Sequence, residues 1–91
     1  MIISLDETKN YLRLDTDAED DFLNRLIVTA ESLCMDVARV DSNTFAENST
    51  VARTAVLYAI AYLYEHREEA DHHQLVLSLR SLLFGMRKEG F

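Results

Sequence analysis

A chain of 91 residues has room for one domain, and at this size folding buries only about two-thirds of the surface the unfolded chain exposes, so the core is thin. Sixteen acidic residues against nine basic ones give a formal charge of -7, which argues against broad adhesion to nucleic acid or anionic lipid, where a basic surface is the usual footprint. Cys34, the single cysteine, excludes an internal disulfide and suits a reducing compartment.

Residues 1–5 lack a basic leader, and Asp6 and Glu7 interrupt any apolar run at once, so the chain reads as soluble and cytosolic in origin without a signal peptide. Proline is absent, and the two glycines, Gly85 and Gly90, stand near the C-terminus. The strongest helix breakers are therefore missing from most of the chain, and the expected fold is all-α: one domain over residues 1–91, a small bundle of about four helices.

The first helix is announced by "SLDETKNYLRL". Ser4 can cap it, Glu7 can complete a capping box, and Asp6 adds negative charge at the positive end of the dipole. Its apolar positions are Leu5, Tyr11, Leu12 and Leu14, and it ends near Leu12. The second helix follows "DTDAEDD", in which Asp15, Thr16 and Asp17 are credible caps and Glu19, Asp20 and Asp21 populate a first turn that favours anions. The same cluster lacks the glycine and the spaced oxygen ligands of a calcium loop. Beyond it, Phe22, Leu26, Leu33 and Val37, joined by Leu23, Ile27, Ala30 and Cys34, recur at three- and four-residue steps and predict a long helix with one wide apolar face.

From about Arg39 to Asn48, "VDSNTFAENS" carries Asp, Ser and Asn, whose side chains bond their own backbone, and reads as the main loop. Val40 and Phe45 are expected to dip back to the core, and Asn48 or Ser49 to cap the next helix. That helix contains "TAVLYAIAYLYEHRE". Nine consecutive residues, Val56 to Tyr64, leave no polar face for more than two turns, yet the run is far short of the roughly 20 apolar residues of a membrane span. Such a helix must be enclosed. The rest of the chain can cover much of it, and a partner subunit is the natural supplier of the remainder. After the polar "EHREEADHH", the segment "QLVLSLRSLLFGMRK" places Leu75, Leu79, Leu82 and Met86 on one stripe with Leu83 beside it. Its "LVLSL" also alternates like a strand, but a lone strand has no sheet to join, so helix is preferred, with Gly85 as a place to stop or bend.

Little in the sequence carries chemistry. His66, His72 and His73, near Glu65, Glu68, Glu69 and Asp71, form the one cluster where a metal or acid–base site is conceivable, but the stretch reads as a solvated helix end and loop rather than a rigid support for converging ligands. Cys34, on the apolar stripe, reads as a core thiol. No glycine-rich phosphate loop, paired-histidine zinc motif or nucleophile elbow is present. The expectation is of no enzyme, no cofactor and no metal. Arg80, Arg87 and Lys88 make the last segment locally basic, most simply to complement a helix C-terminus, with contact to phosphates or to an acidic face of a neighbour as the other reading.

Taken in order, "SLDETKNYLRLD", an acidic turn leading into "FLNRLIVTAE", "AVLYAIAYLYEHRE" and "LRSLLFGMRKEGF" resemble the gp6-like head–tail connector proteins of tailed phages and prophages over nearly the whole chain. The most specific piece is "LYEHRE", matching at Leu63, Tyr64, Glu65, Arg67 and Glu68; one departure is the lack of proline before the central helix and in the closing segment. The resemblance implies a structural virion protein, made in the host cytoplasm, that forms a ring of about twelve copies at the head–tail junction through contacts that close on themselves. Its implied partners are other copies of itself, the portal protein above and a stopper or tail-completion protein below, with DNA only passing through and no membrane. On that reading Tyr58, Tyr62 and Leu63 mediate contacts between subunits or helices, and Arg80, Phe84 and Arg87 lie at a docking surface. The competing class is a small helical adaptor or DNA-regulatory module, but helix-turn-helix proteins present a basic recognition helix, whereas here the second helix starts acidic and the third is nearly uncharged.

Overall fold

The computed structural model describes residues 3–47, 49–68 and 72–84. The described residues form five helices: α1 (Leu5–Leu12), α2 (Asp20–Ala38), α3 (Ser42–Glu47), α4 (Ser49–Glu65) and α5 (His73–Leu83). The fold is all-helical, as expected, with no strand among the described residues. The fifth helix, α3, lies in the stretch the sequence presents as a loop. Asp41 makes it possible: its carboxylate accepts from the Thr44 amide at 2.8 Å and its carbonyl from the Phe45 amide at 3.0 Å, so residues that favour turns start a short helix instead. Phe45 is buried and Val40 packs against the core.

The capping box of α1 is formed. Ser4 Oγ accepts from the Glu7 amide at 3.1 Å, and Glu7 Oε1 accepts from the Ser4 amide at 3.1 Å. Ile3 and Thr8, which flank the cap, are fully buried, while Tyr11 is half exposed; in so short a helix the inward face runs through Leu5, Thr8 and Leu12. Both α1 and α2 end on an arginine in the left-handed region, Arg13 and Arg39, each with φ 60°.

None of Asp15, Thr16 and Asp17 caps α2. Glu19 occupies that position without a side-chain cap bond. The three candidates are diverted or too distant: Thr16 Oγ1 accepts from the Ala18 amide in a local turn, and Asp17 is drawn with Asp20 to the Lys9 ammonium at 2.8 and 3.0 Å. The acidic turn thereby ties α1 to α2.

The apolar face of α2 is centred on Leu23, Ile27, Ala30 and Cys34, all buried, with Phe22, Leu33 and Val37 half-buried on its flanks. It packs on α4, which also contacts α1, α3 and α5 and is the central helix. Ala52, Ala55 and Ala59 are fully buried on α4, and their small side chains let neighbouring backbones approach closely. Val56, Ile60 and Leu63 complete its inward face. The four other helices shelter most of the nine-residue apolar run, and Tyr58 alone among those nine is exposed. The chain thus covers more of this helix than the sequence suggests. What remains is a stripe that includes Val51 and Tyr58, 41% and 39% exposed.

Candidate functional site

Two contacts fix how α4 and α5 lie together. Tyr62 meets the His72 ring edge-on with centroids 6.1 Å apart, and Tyr58 donates to Ser78 Oγ at 3.3 Å. Positions fall along α4 as they rise along α5, so the pair is antiparallel. α5 buries Leu75, Leu79 and Leu83. Leu82, placed in the core stripe by its spacing, is 39% exposed, because α5 contacts both α2 and α4 and its inward arc is centred on Leu79. Val76 and Arg80 edge the α2 side, Ser78 and Leu82 the α4 side, and Leu77 and Phe84 face outward, 41% and 63% exposed. Exposed apolar side chains therefore stand on both helices, Val51 and Tyr58 on α4 and Leu77, Leu82 and Phe84 on α5.

The residues singled out for assembly occupy different places. Tyr58, Arg80 and Phe84 are exposed on α4 and α5. Tyr62 is half-buried and stacks on His66 with centroids 4.1 Å apart and planes 16° from parallel. Leu63 is buried in the chain's own core and packs between its helices. Arg87 lies outside the described residues. Val51, Leu77 and Leu82 were missed as surface residues because each reads locally as one more apolar position on a helix.

At the other edge of α5, Leu33, Asp36 and Val37 from α2, Arg39 at its end, and Val76 and Arg80 from α5 line a cleft of about 360 Å³. Leu33, Val37 and Val76 supply apolar walls, and two guanidinium groups oppose one carboxylate. The guanidinium groups of Arg39 and Arg80 make no ion pair or hydrogen bond to another described residue.

The far end of the bundle is closed by a clasp. Glu19 accepts from the Tyr64 hydroxyl at 2.7 Å and from Arg67 Nη1 at 2.6 Å. The Arg67 guanidinium lies over the rings of Phe22 and Tyr64, 5.2 and 4.8 Å from their centroids. The Tyr64 hydroxyl, and then Arg67, hold the Glu19 carboxyl below its ordinary range, and the same bond raises Tyr64. Glu7 makes a second tie, pairing through both oxygens with the Arg53 guanidinium on α4.

Two of the histidines, His66 and His72, meet the Tyr62 ring. His66 Nδ1 lies 2.9 Å from the Tyr62 carbonyl, which can only accept, so that nitrogen carries the hydrogen. Among the described residues, no group of three His, Cys, Asp or Glu side chains is placed to hold a metal ion. Cys34 is fully buried, and burial, aided by Glu31, pushes its thiol up to about 12. No helix among the described residues is long and apolar enough to cross a membrane.

Compared with known proteins, residues 2–89 match the family model described as phage gp6-like head-tail connector protein. No curated protein and no solved structure is similar enough to count as a match.

Proposed function

The chain belongs to the phage gp6-like head–tail connector family, structural proteins of the virion, and from that membership we propose that it assembles into a closed ring beneath the portal. The ring holds about twelve subunits to suit the portal, joins it to a stopper or tail-completion protein, and lets DNA pass through its centre. Tyr58, Phe84 and Arg80 meet neighbouring subunits or the portal. Assembly is completed at the head–tail junction from subunits made in the host cytoplasm.

The observation that carries this reading, beside the family match, is the set of exposed apolar side chains on α4 and α5, Val51, Tyr58, Leu77, Leu82 and Phe84. A chain this small leaves such side chains uncovered when another surface is to cover them. The net charge of -7 suits a bore through which DNA slides, since a lining rich in Lys and Arg would hold phosphates.

The test is the mass of the purified protein, alone and mixed with its portal, read by light scattering and by micrographs. A multi-subunit ring, free or seated on the portal, is the expected result. A protein that stays monomeric and does not join the portal overturns the proposal.

A further inference from the structure

We infer that the cleft between the C-terminal turns of α2 and the Val76–Arg80 stretch of α5 receives the acidic α1–α2 turn of a second copy of this chain, joining subunits head to tail. The inference rests on the ring reading above and names the surfaces that would build it.

The cleft is the receptive half. Arg39 and Arg80 reach it from two different helices, against the single carboxylate of Asp36. A helix C-terminus favours a cation, but that preference is met equally well by a side chain extended into water. Two arginines set around the side chains of Leu33, Val37 and Val76 do more: they offer an anionic guest paired charges from two helices beside apolar contacts.

The complementary half is on the same molecule. Asp15 and Asp21 are exposed, and neither pairs with another described residue. Asp17 binds Lys9 with one oxygen while its side chain remains 91% exposed. The tip of this turn carries the exposed small residues Thr16 and Ala18, a shape that can enter a cleft.

Geometry decides how the halves meet. Asp21 lies in the first turn of α2 and Asp36 near its end, about 22 Å away at 1.5 Å per residue. A rigid helix keeps the two apart within one chain, so the contact forms only between molecules. It joins unlike surfaces, and repetition of such a contact either closes a ring or runs on as a filament. Beside the cleft, Arg80 is flanked along α5 by the exposed Leu77 and Phe84, so apolar side chains adjoin the charged contact.

The experiment is a charge exchange. Three proteins are compared at one salt concentration, with and without the portal: wild type, Arg39→Glu/Arg80→Glu, and Asp15→Lys/Asp21→Lys. The measurement is assembled mass by sedimentation and light scattering, and circular dichroism confirms helix content. Each double variant alone should assemble more than about tenfold more weakly, because like charges then face each other. An equimolar mixture should regain assembly, since every contact again joins opposite signs. If a charge-reversed protein does not fold, Arg39→Gln/Arg80→Gln replaces it, with weakened assembly expected. Wild-type rings with an Arg39/Arg80 variant that assembles equally well would overturn the inference and leave the ring reading standing. Loss in both variants without rescue in the mixture would also overturn it, because the two surfaces then do not meet. A wild type that never assembles, even on the portal, removes the ring reading itself.

Discussion

The Tyr64 hydroxyl donates to the Glu19 carboxylate across 2.7 Å, joining the end of α4 to the residue that opens α2. Arg67 shares that carboxylate and lies over Phe22, so the start of α2 is held by charge, hydrogen bonding and ring contact together. This gives the "LYEHRE" stretch a structural meaning. Leu63 fills the core, Tyr64 and Arg67 hold α2, and Glu65 and Glu68 face solvent.

The clasp should make stability depend on pH in a defined window. Glu19 sits below its ordinary 4.5, so its contribution is complete above that value and is lost as pH falls through the lower folded value. Tyr64 sits above its ordinary 10.0, so its contribution is complete below that value and is lost as pH rises through the higher folded value. Glu19→Gln should lower Tm by a constant few degrees between these limits, and the difference from wild type should shrink in acid. A Tm difference that persists unchanged at pH 2 would contradict the role given to the Glu19 charge.

The alanines of α4 set the spacing of the bundle. Ala59 is fully buried, and Ala59→Leu adds side-chain atoms where there is no room, at a cost of about 1–3 kcal/mol. Ile60→Ala leaves a cavity instead and should cost about 2–5 kcal/mol. Urea denaturation of both variants checks this. Unchanged midpoints would mean that α4 is not the close-packed centre described above.

Cys34 should be chemically silent in the native protein. With its thiol at about 12 and its side chain enclosed, reaction with a thiol reagent at pH 8 should wait for unfolding. Labelling that is slow in buffer and prompt in denaturant is the expected pattern. Prompt native labelling would place Cys34 outside the core.

Helix identity, the capping box and the core face of α2 were readable because they depend on short spacings: Ser4 with Glu7, and Leu23, Ile27, Ala30 and Cys34 on one side. The alternation in "LVLSL" did not mislead, since Leu75 and Leu79 are one helical turn apart and both are buried. The loop reading before α4 failed because turn-favouring side chains also cap helices, and Asp41 does so here. Leu82 was misplaced because spacing alone does not say how wide an arc two neighbouring helices cover. The Arg39–Arg80 cleft escaped the sequence altogether, since its two arginines are distant in the chain and meet only after α5 folds back beside α2.

The exposed apolar side chains of α4 and α5 yield the last prediction. Tyr58→Asp and Leu77→Asp put a charge on residues 39% and 41% exposed, while Tyr11→Asp and Val28→Asp do the same on α1 and α2, at residues 51% and 54% exposed. If exposed apolar area in general promoted association, all four would act alike. If the α4–α5 face is the one that neighbours cover, the first two should weaken assembly by about tenfold or more, because a charge buried at an interface without a partner is costly to desolvate. The second two should leave the assembled mass unchanged. Tyr58→Asp also removes the Ser78 hydrogen bond, so Leu77→Asp, which touches no such bond, is the cleaner member of the pair. Equal mass for Leu77→Asp and wild type, measured by light scattering at matched concentration, would move the subunit contact to another face.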